Sequence, residues 1–435
     1  DNIVAFWQQD RWSDGGSRGN VAGVSLDGGN TWQIVPVPGL TDCSGGPWER
    51  SSDPWLSFAP DGTLHQMSLV FQTDPPPGSE RGFGANGMAV SKSTDGGLTW
   101  SAPILLAEDD NPRFLNDKNS LTADPTDSNY VYAVWDRLDV SPGGIKINER
   151  GRGGLGSFKG PALIARSTDG GDTWEPAKTL YNPGGLNQTI GNQIVVLPDG
   201  TVIDFFNEIL NFRNDDGGAQ FDFNLSFKYS GDKGETWLPN GRPIRTNKIL
   251  SLGVITPDFL IPVRDASILF DVAVDPANGN LYTVWQDARF GGVDEIAFSM
   301  SSDGGFTWSA PVKVNQTPAG ANPLRAQAFI PSVEVANGVV GVTYYDFRND
   351  DDSGELADHW LVACDGGCSD PASWQPSNEV RLTDASFDIA QAPFANGLFL
   401  GDYVGLASDG MDFLSFFQQS SAMDRANGYF RRVTP

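Results

Sequence analysis

Five copies of one eight-residue motif, Ser-x-Asp-x-Gly-x-Thr-Trp, run through this chain of 435 residues. They read Ser25-Leu-Asp27-Gly-Gly-Asn-Thr31-Trp32, Ser93-Thr-Asp95-Gly-Gly-Leu-Thr99-Trp100, Ser167-Thr-Asp169-Gly-Gly-Asp-Thr173-Trp174, Ser230-Gly-Asp232-Lys-Gly-Glu-Thr236-Trp237 and Ser301-Ser-Asp303-Gly-Gly-Phe-Thr307-Trp308. Successive aspartates stand 68, 74, 63 and 71 residues apart. A repeat of this period commits the chain to a series of similar supersecondary units, none of which buries its apolar face alone. With 51 Gly and 29 Pro, short apolar runs and no long stretch of helical periodicity, those units read as β-sheets. No run of about 18 apolar residues is present, so membrane insertion by a helix is not expected.

The motif has a local logic. Glycine supplies the positive φ of a tight turn, Asp bonds the backbone of its own turn, and Trp is a large packing anchor opening the next strand. The motif is therefore a hairpin turn with a packing peg, and it resembles the Asp box, or bacterial neuraminidase repeat, of the sialidase superfamily. Asp27, Asp95, Asp169, Asp232 and Asp303 take the structural aspartate position of that box. The resemblance implies an all-β fold, a single β-propeller of four-stranded antiparallel blades over residues 1–435, with the boxes in the hairpins between the third and fourth strands of each blade.

Blade number follows from the second strands of the units. Apolar or alternating runs recur at Ile3–Trp7, Leu64–Phe71, Val131–Trp135, Val202–Phe206, Leu281–Trp285, Val340–Tyr345 and Phe413–Phe417. Seven such strands predict seven blades, with six, the number in true sialidases, as the alternative. The first unit lacks its first strand and the last lacks its fourth. In the second unit the four strands are expected at Asp53–Ala59, Thr63–Gln72, Gly87–Ser93 and Trp100–Leu106.

Cys364 and Cys368 stand in Cys-Asp-Gly-Gly-Cys where a sixth box is due, and a small-loop disulfide would clamp that hairpin in place of the Asp turn. Cys43 is left as a single thiol, and a disulfide implies an oxidising compartment. The sequence opens inside a repeat without a leader, so a processed, secreted or cell-surface product is expected. The net charge of −26 argues against nucleic acid and anionic membranes, and any acidic substrate needs a local basic site against that field. A monomer is expected, with a glycan or polysaccharide as partner.

Long irregular connections gather opposite the motif turns, and chemistry on a rigid scaffold usually lives on such loops. There the second strands end in Trp7-Gln-Gln-Asp10-Arg11, Trp135-Asp136-Arg137, Trp285-Gln-Asp287-Ala-Arg289 and Tyr344-Tyr345-Asp346-Phe-Arg348. Arg11, Arg137, Arg289 and Arg348 read either as guanidinium groups for a substrate carboxylate, which sialidases hold with three arginines, or as braces paired with aspartates of their own loops. First strands, innermost in a blade, begin at Ser52-Asp53-Pro54, Asn116-Asp117-Lys118, Arg264-Asp265 and Gly401-Asp402-Tyr403. Their carboxylates would converge on a channel mouth, where Asp53 and Asp117 suit general acid work, with Lys118 and Asp402 holding substrate. No cofactor is required, although oxygen ligands there would also suit Ca2+. Sialidases use a Tyr nucleophile beside a Glu; Tyr345 and Tyr403 are the candidates, with no Glu assignable to either, and the family's Arg-Ile-Pro opening is missing. Three outcomes remain open: a glycosidase or, alternatively, a polysaccharide lyase; a non-catalytic glycan- or protein-binding propeller; or a structural propeller.

Overall fold

The computed structural model describes residues 2–74, 83–139, 159–213, 219–320, 322–351 and 355–435. They fall into two compact units, the first ending at Arg245 and the second running Thr246–Pro435. Helix among the described residues is confined to short 3-10 turns, none long and apolar enough to cross a membrane.

In the first unit, one sheet joins β1 (Ile3–Arg11), β2 (Ser17–Ser25), β3 (Gln33–Pro36), β4 (Arg50–Phe58), β5 (Leu64–Phe71), β6 (Asn86–Ser93) and β7 (Ile104–Asp109). It is two groups, β1–β3 and β4–β7, stitched by a single pairing of Ser17 with Ser51. Then follow two four-stranded antiparallel sheets, β8 (Phe114–Ala123), β9 (Val131–Asp139), β10 (Ala162–Ser167) and β11 (Lys178–Tyr181), and β12 (Gln188–Val196), β13 (Val202–Arg213), β14 (Ala219–Ser230) and β15 (Ile244–Lys248). The second unit carries β16 (Phe270–Val274), β17 (Leu281–Asp287), β18 (Glu295–Ser301) and β19 (Val312–Lys313). Its next sheet holds β20 (Ala328–Ala336), β21 (Val339–Asp346), β22 (Leu356–Cys364) and β23 (Glu379–Arg381), with β24 (Phe387–Asp388) also on β22. The last is three-stranded, β25 (Gly405–Asp409), β26 (Asp412–Gln419) and β27 (Asn427–Val433).

Sheets pack face to face within each unit through the period-two alternation of their middle strands. In β9, Val131, Ala133 and Trp135 pack with Met67 and Val90 of the preceding sheet, while Tyr132 and Val134 pack with Val202 and Phe206 of the next. In the second unit Val340, Val342 and Tyr344 of β21 join Val284 and Phe298, and Tyr345 joins Phe413 and Phe417 on the other side. Each wholly buried Val, Leu or Phe in such a layer contributes about 1.5–3 kcal/mol.

The five motif repeats share one hydrogen-bond pattern. The Ser hydroxyl donates to the Asp carboxylate at 2.7–2.9 Å, the Thr backbone N–H donates to it at 2.8–2.9 Å, and the Thr hydroxyl at 2.6–2.7 Å. The Gly N–H in turn donates to the Ser hydroxyl at 2.8–2.9 Å. Each repeat links the last two strands of its group, β2 and β3 in the first and the third and fourth strands in the others. The fourth strand starts later than the sequence reading placed it: β7 begins at Ile104, because Trp100 stays outside the ladder and stacks on Phe6. Cys364 and Cys368 are joined by a disulfide at the corresponding turn after β22, and Cys43 is an exposed thiol.

A second repeated device is a bulge. In β4, β8, β12 and β20 two residues oppose one on the partner strand, and the first of the two is left-handed: Asp53 (φ 46), Lys118 (φ 48), Gly191 (φ 69) and Ile330 (φ 51). Left-handed backbone costs a non-glycine residue about 1–2 kcal/mol, and bulges of this kind re-aim side chains.

Candidate functional site

The arginines that close the second strands are held by carboxylates. Arg289 grips Asp287, Nε to Oδ1 at 2.7 Å and Nη2 to Oδ2 at 2.8 Å, and also donates to the Lys248 carbonyl at 2.6 Å. Arg348 donates from Nε to Asp346 at 2.5 Å and from both Nη groups to Glu379 at 2.5 and 3.0 Å, while its guanidinium lies 3.9 Å over the Trp360 ring. These two are bracing arrangements of the kind expected from a repeated Asp–Arg pair.

Arg137 differs. It pairs with Asp109 on β7 of the preceding sheet and lies 3.8 Å over Phe114. Its neighbour Asp136 reaches the other way. Asp136 accepts from Thr189 Oγ1 at 2.6 Å, Gly191 N at 2.9 Å and Asn192 Nδ2 at 2.7 Å, at the bulge of β12. The Asp136-Arg137 pair therefore ties three successive sheets together instead of bracing its own loop. Arg11 ends β1 opposite Ser17.

The bulges of β4 and β8 gather three of the expected site residues. Lys118 Nζ lies 3.3 Å from Asp53 Oδ2 and 3.9 Å from Asp117 Oδ1. Ser52 Oγ donates to Asp53 at 2.8 Å, and Asn119 Nδ2 donates to the Asp53 carbonyl at 2.9 Å. Of the two carboxylates Asp117 is the more open, with 23% of its side chain exposed against 8% for Asp53. One acid, Asp53, and the Lys118 ammonium are thus fixed at left-handed backbone positions that only a specific surround maintains, with Asp117 beside Lys118 in the chain.

In the second unit Asp402 is chelated by Arg264 at 2.8 and 2.7 Å, with the guanidinium 4.2 Å over Phe399. Tyr403 is partly buried beside it. Tyr345 sits elsewhere, and the catalytic role expected of it needs correction. It is wholly buried between Phe329 and His359, and its hydroxyl exchanges hydrogen bonds with the backbone of Gln418 at 2.8 and 2.9 Å. Strand alternation explains the placement: Tyr344 and Tyr345 point into the layers on opposite faces of β21, Tyr345 among Phe413 and Phe417, while the Tyr344 hydroxyl accepts from Gln316 N at 2.9 Å and Arg348 Nη2 at 3.0 Å.

No protein-family model matches the chain, and no curated protein sequence does. Among solved structures it is similar to a Hadza microbial sialidase, with a TM-score of 0.53 at 17% identity over 97% of this chain and 74% of that one. It is also similar to a protein of unknown function from Dyadobacter fermentans, with a TM-score of 0.52 at 16% identity over 88% of this chain and 93% of that one. The fold is a sialidase-like β-propeller fold.

Within this propeller fold two Tyr–Glu pairs escaped the sequence reading, because each joins residues from separate strands. Tyr344 OH donates to Glu379, and Tyr181 OH donates to Glu208 at 2.6 Å. Burial, together with the neighbouring carboxylate, pushes both phenols up from their ordinary value, so both stay protonated. The signal available in advance was only that Glu208 falls near the end of a second strand. Both histidines are core residues held neutral by burial, His65 lowered to about 4 and His359 to about 3. Among the described residues no group of three or more His, Cys, Asp or Glu is arranged to hold a metal ion.

Proposed function

We propose that this chain is a secreted, sialidase-like carbohydrate-active enzyme, a seven-bladed single propeller that hydrolyses glycosidic bonds of an extracellular glycan. The observation that carries the reading is the Asp53–Lys118–Asp117 cluster on paired left-handed bulges. Asp117, the more open acid, donates its proton to the leaving glycosidic oxygen. A water then adds its hydroxyl to the sugar carbon and its proton restores an acid, so that bond cleavage is balanced by one water. Lys118, 3.3 Å from Asp53, holds that carboxyl group in place beside the cationic charge that develops on the sugar. The similarity to a sialidase structure supports the class of chemistry by analogy of fold alone.

A second reading, a glycan-binding propeller without turnover, is favoured by the arginines. Arg137, Arg289 and Arg348 are each already satisfied by carboxylates, so none is set aside for a sialic acid carboxylate. Mass spectrometry of products from sialosides and uronic-acid polysaccharides separates the readings. Products that gain a water, lost at least 100-fold in Asp117→Asn with the melting temperature unchanged, are expected. Unsaturated ends would mean a lyase, and binding without product would replace the enzyme with the binding propeller.

A further inference from the structure

The first unit contains a cleft of about 700 Å3 between the edge strand β11 and the face of the β12–β15 sheet, away from the β4 and β8 bulges. We infer that this cleft is a binding site for a carboxylate-bearing saccharide, separate from the proposed catalytic cluster and standing whether or not that cluster is catalytic.

Charge is the first argument. In a chain of net charge −26, the lining of this cleft carries Lys228, Arg242 and Arg245 against one carboxylate, Glu208. That carboxylate is committed: it is buried, accepts from Tyr181 OH at 2.6 Å on one oxygen, and accepts from Arg245 Nε at 2.6 Å on the other. Asp222 acts on Arg245 from outside the lining. Lys228, opposite Asp204 in the ladder, is buried and already donates to the Pro239 and Gly241 carbonyls at 2.6 and 3.1 Å, and burial lowers its pKa, so the anion site rests on the two arginines. Arg242 is exposed and has no hydrogen-bond or ion-pair partner among the described residues. The terminal nitrogens of Arg245 likewise have none, only its Nε being engaged. Two guanidinium groups with unused donors in a strongly acidic protein are an anion site that the surface as a whole would repel.

The rest of the lining selects sugar among anions. Asn182 and Asn240 supply amides for sugar hydroxyls, while Asn187 shapes the wall, its Nδ2 donating to the Pro183 carbonyl at 3.3 Å and its Oδ1 accepting from Asn211 N at 2.8 Å. Trp237 supplies ring surface for the apolar face of a pyranose, while Tyr181 is buried behind it, fixed by stacking on Phe206 at 5.5 Å and by Lys228 at 5.2 Å from its ring. The indole N–H of Trp237, like that of Trp100, is buried without a partner, whereas two other motif tryptophans, Trp32 and Trp308, donate theirs to a glycine carbonyl at 3.0 and 2.7 Å. The volume is within the roughly 300–1,000 Å3 of small-molecule sites and accommodates two or three sugar rings.

The test is calorimetric titration of the whole protein with a tri-galacturonate and with its methyl ester, which has the same shape and no charge. The charged sugar is expected to bind, the ester at least 10-fold more weakly. Arg242→Gln should weaken the charged sugar about 10-fold, and Arg242→Glu should abolish binding, with melting temperatures unchanged because Arg242 supports no other residue. In 15N-labelled protein the Trp237 indole resonance should shift on saturation. Equal affinity for sugar and ester, no binding of either, or full binding by Arg242→Glu would each overturn the inference. Loss of binding in Asp117→Asn, with Arg242→Glu unaffected, would move the saccharide to the β4 and β8 bulges.

Discussion

At the residue scale the carboxylates divide by surroundings. The motif aspartates lie at the surface, where hydrogen bonds from Thr favour the ionised form, down to about 2 for Asp27, Asp95 and Asp232. Asp136 is the reverse: burial pushes it up to about 8, offset only in part by its three donors. Its folded value lies above the unfolded 3.8, so its contribution to stability is complete below pH 4 and is lost as pH rises to about 8. The motif aspartates contribute above pH 4 and lose that contribution as pH falls toward 2, and His359 begins to oppose folding below 6.5 as it resists its proton down to about 3. Asp136→Asn cannot ionise. The decline of melting temperature between pH 5 and pH 8 is therefore expected to flatten by several degrees in this variant, measured by differential scanning calorimetry. An identical slope in variant and parent would show that Asp136 is already charged in the native protein.

At the element scale the sequence was most legible where a strand is bounded by its own chemistry. All seven second strands were readable, because alternating apolar residues with a terminal Trp, Tyr or Phe can satisfy two packed layers only as β-structure. The motif hairpins were readable for the same local reason, and each should be separable from its neighbours. Asp303→Ala removes three hydrogen bonds from one turn and should lower the melting temperature by about 2–4 °C without altering the far-ultraviolet spectrum. The bulges were not legible: nothing in Asp53, Lys118 or Ile330 announces a left-handed residue, which glycine alone adopts without cost. That strain is measurable. Lys118→Gly and Lys118→Ala lose the same ion pair, but alanine keeps the left-handed penalty, so the glycine variant should be the more stable by about 0.5–1 kcal/mol in urea unfolding. Equal stabilities would mean that the β8 bulge relaxes when the lysine is removed.

At the scale of the whole molecule, the architecture was written in the repeat and the site was not. A repeat states what each unit has in common, while a site depends on what one unit does differently, and here those differences are pairings between distant segments. Arg137 with Asp109, Arg348 with Glu379 and Glu208 with Tyr181 all join residues from separate segments of the chain. The charge, by contrast, is a property of the whole chain that the sequence states outright. A net −26 repels itself at low ionic strength, where the Debye length is about 30 Å at 0.01 M, and much less at 0.15 M, where it is about 8 Å. The buried and half-buried pairs, such as Lys118 with Asp53 and Arg348 with Asp346, are shielded from salt and should lose little. Raising NaCl from 10 to 150 mM is therefore expected to raise the melting temperature by several degrees, with choline chloride acting as well as NaCl because no specific cation is needed. A melting temperature that falls with salt would mean that surface ion pairs outweigh the repulsion. A rise with Ca2+ at millimolar concentration, where monovalent salt has no effect, would point to a bound cation and away from screening.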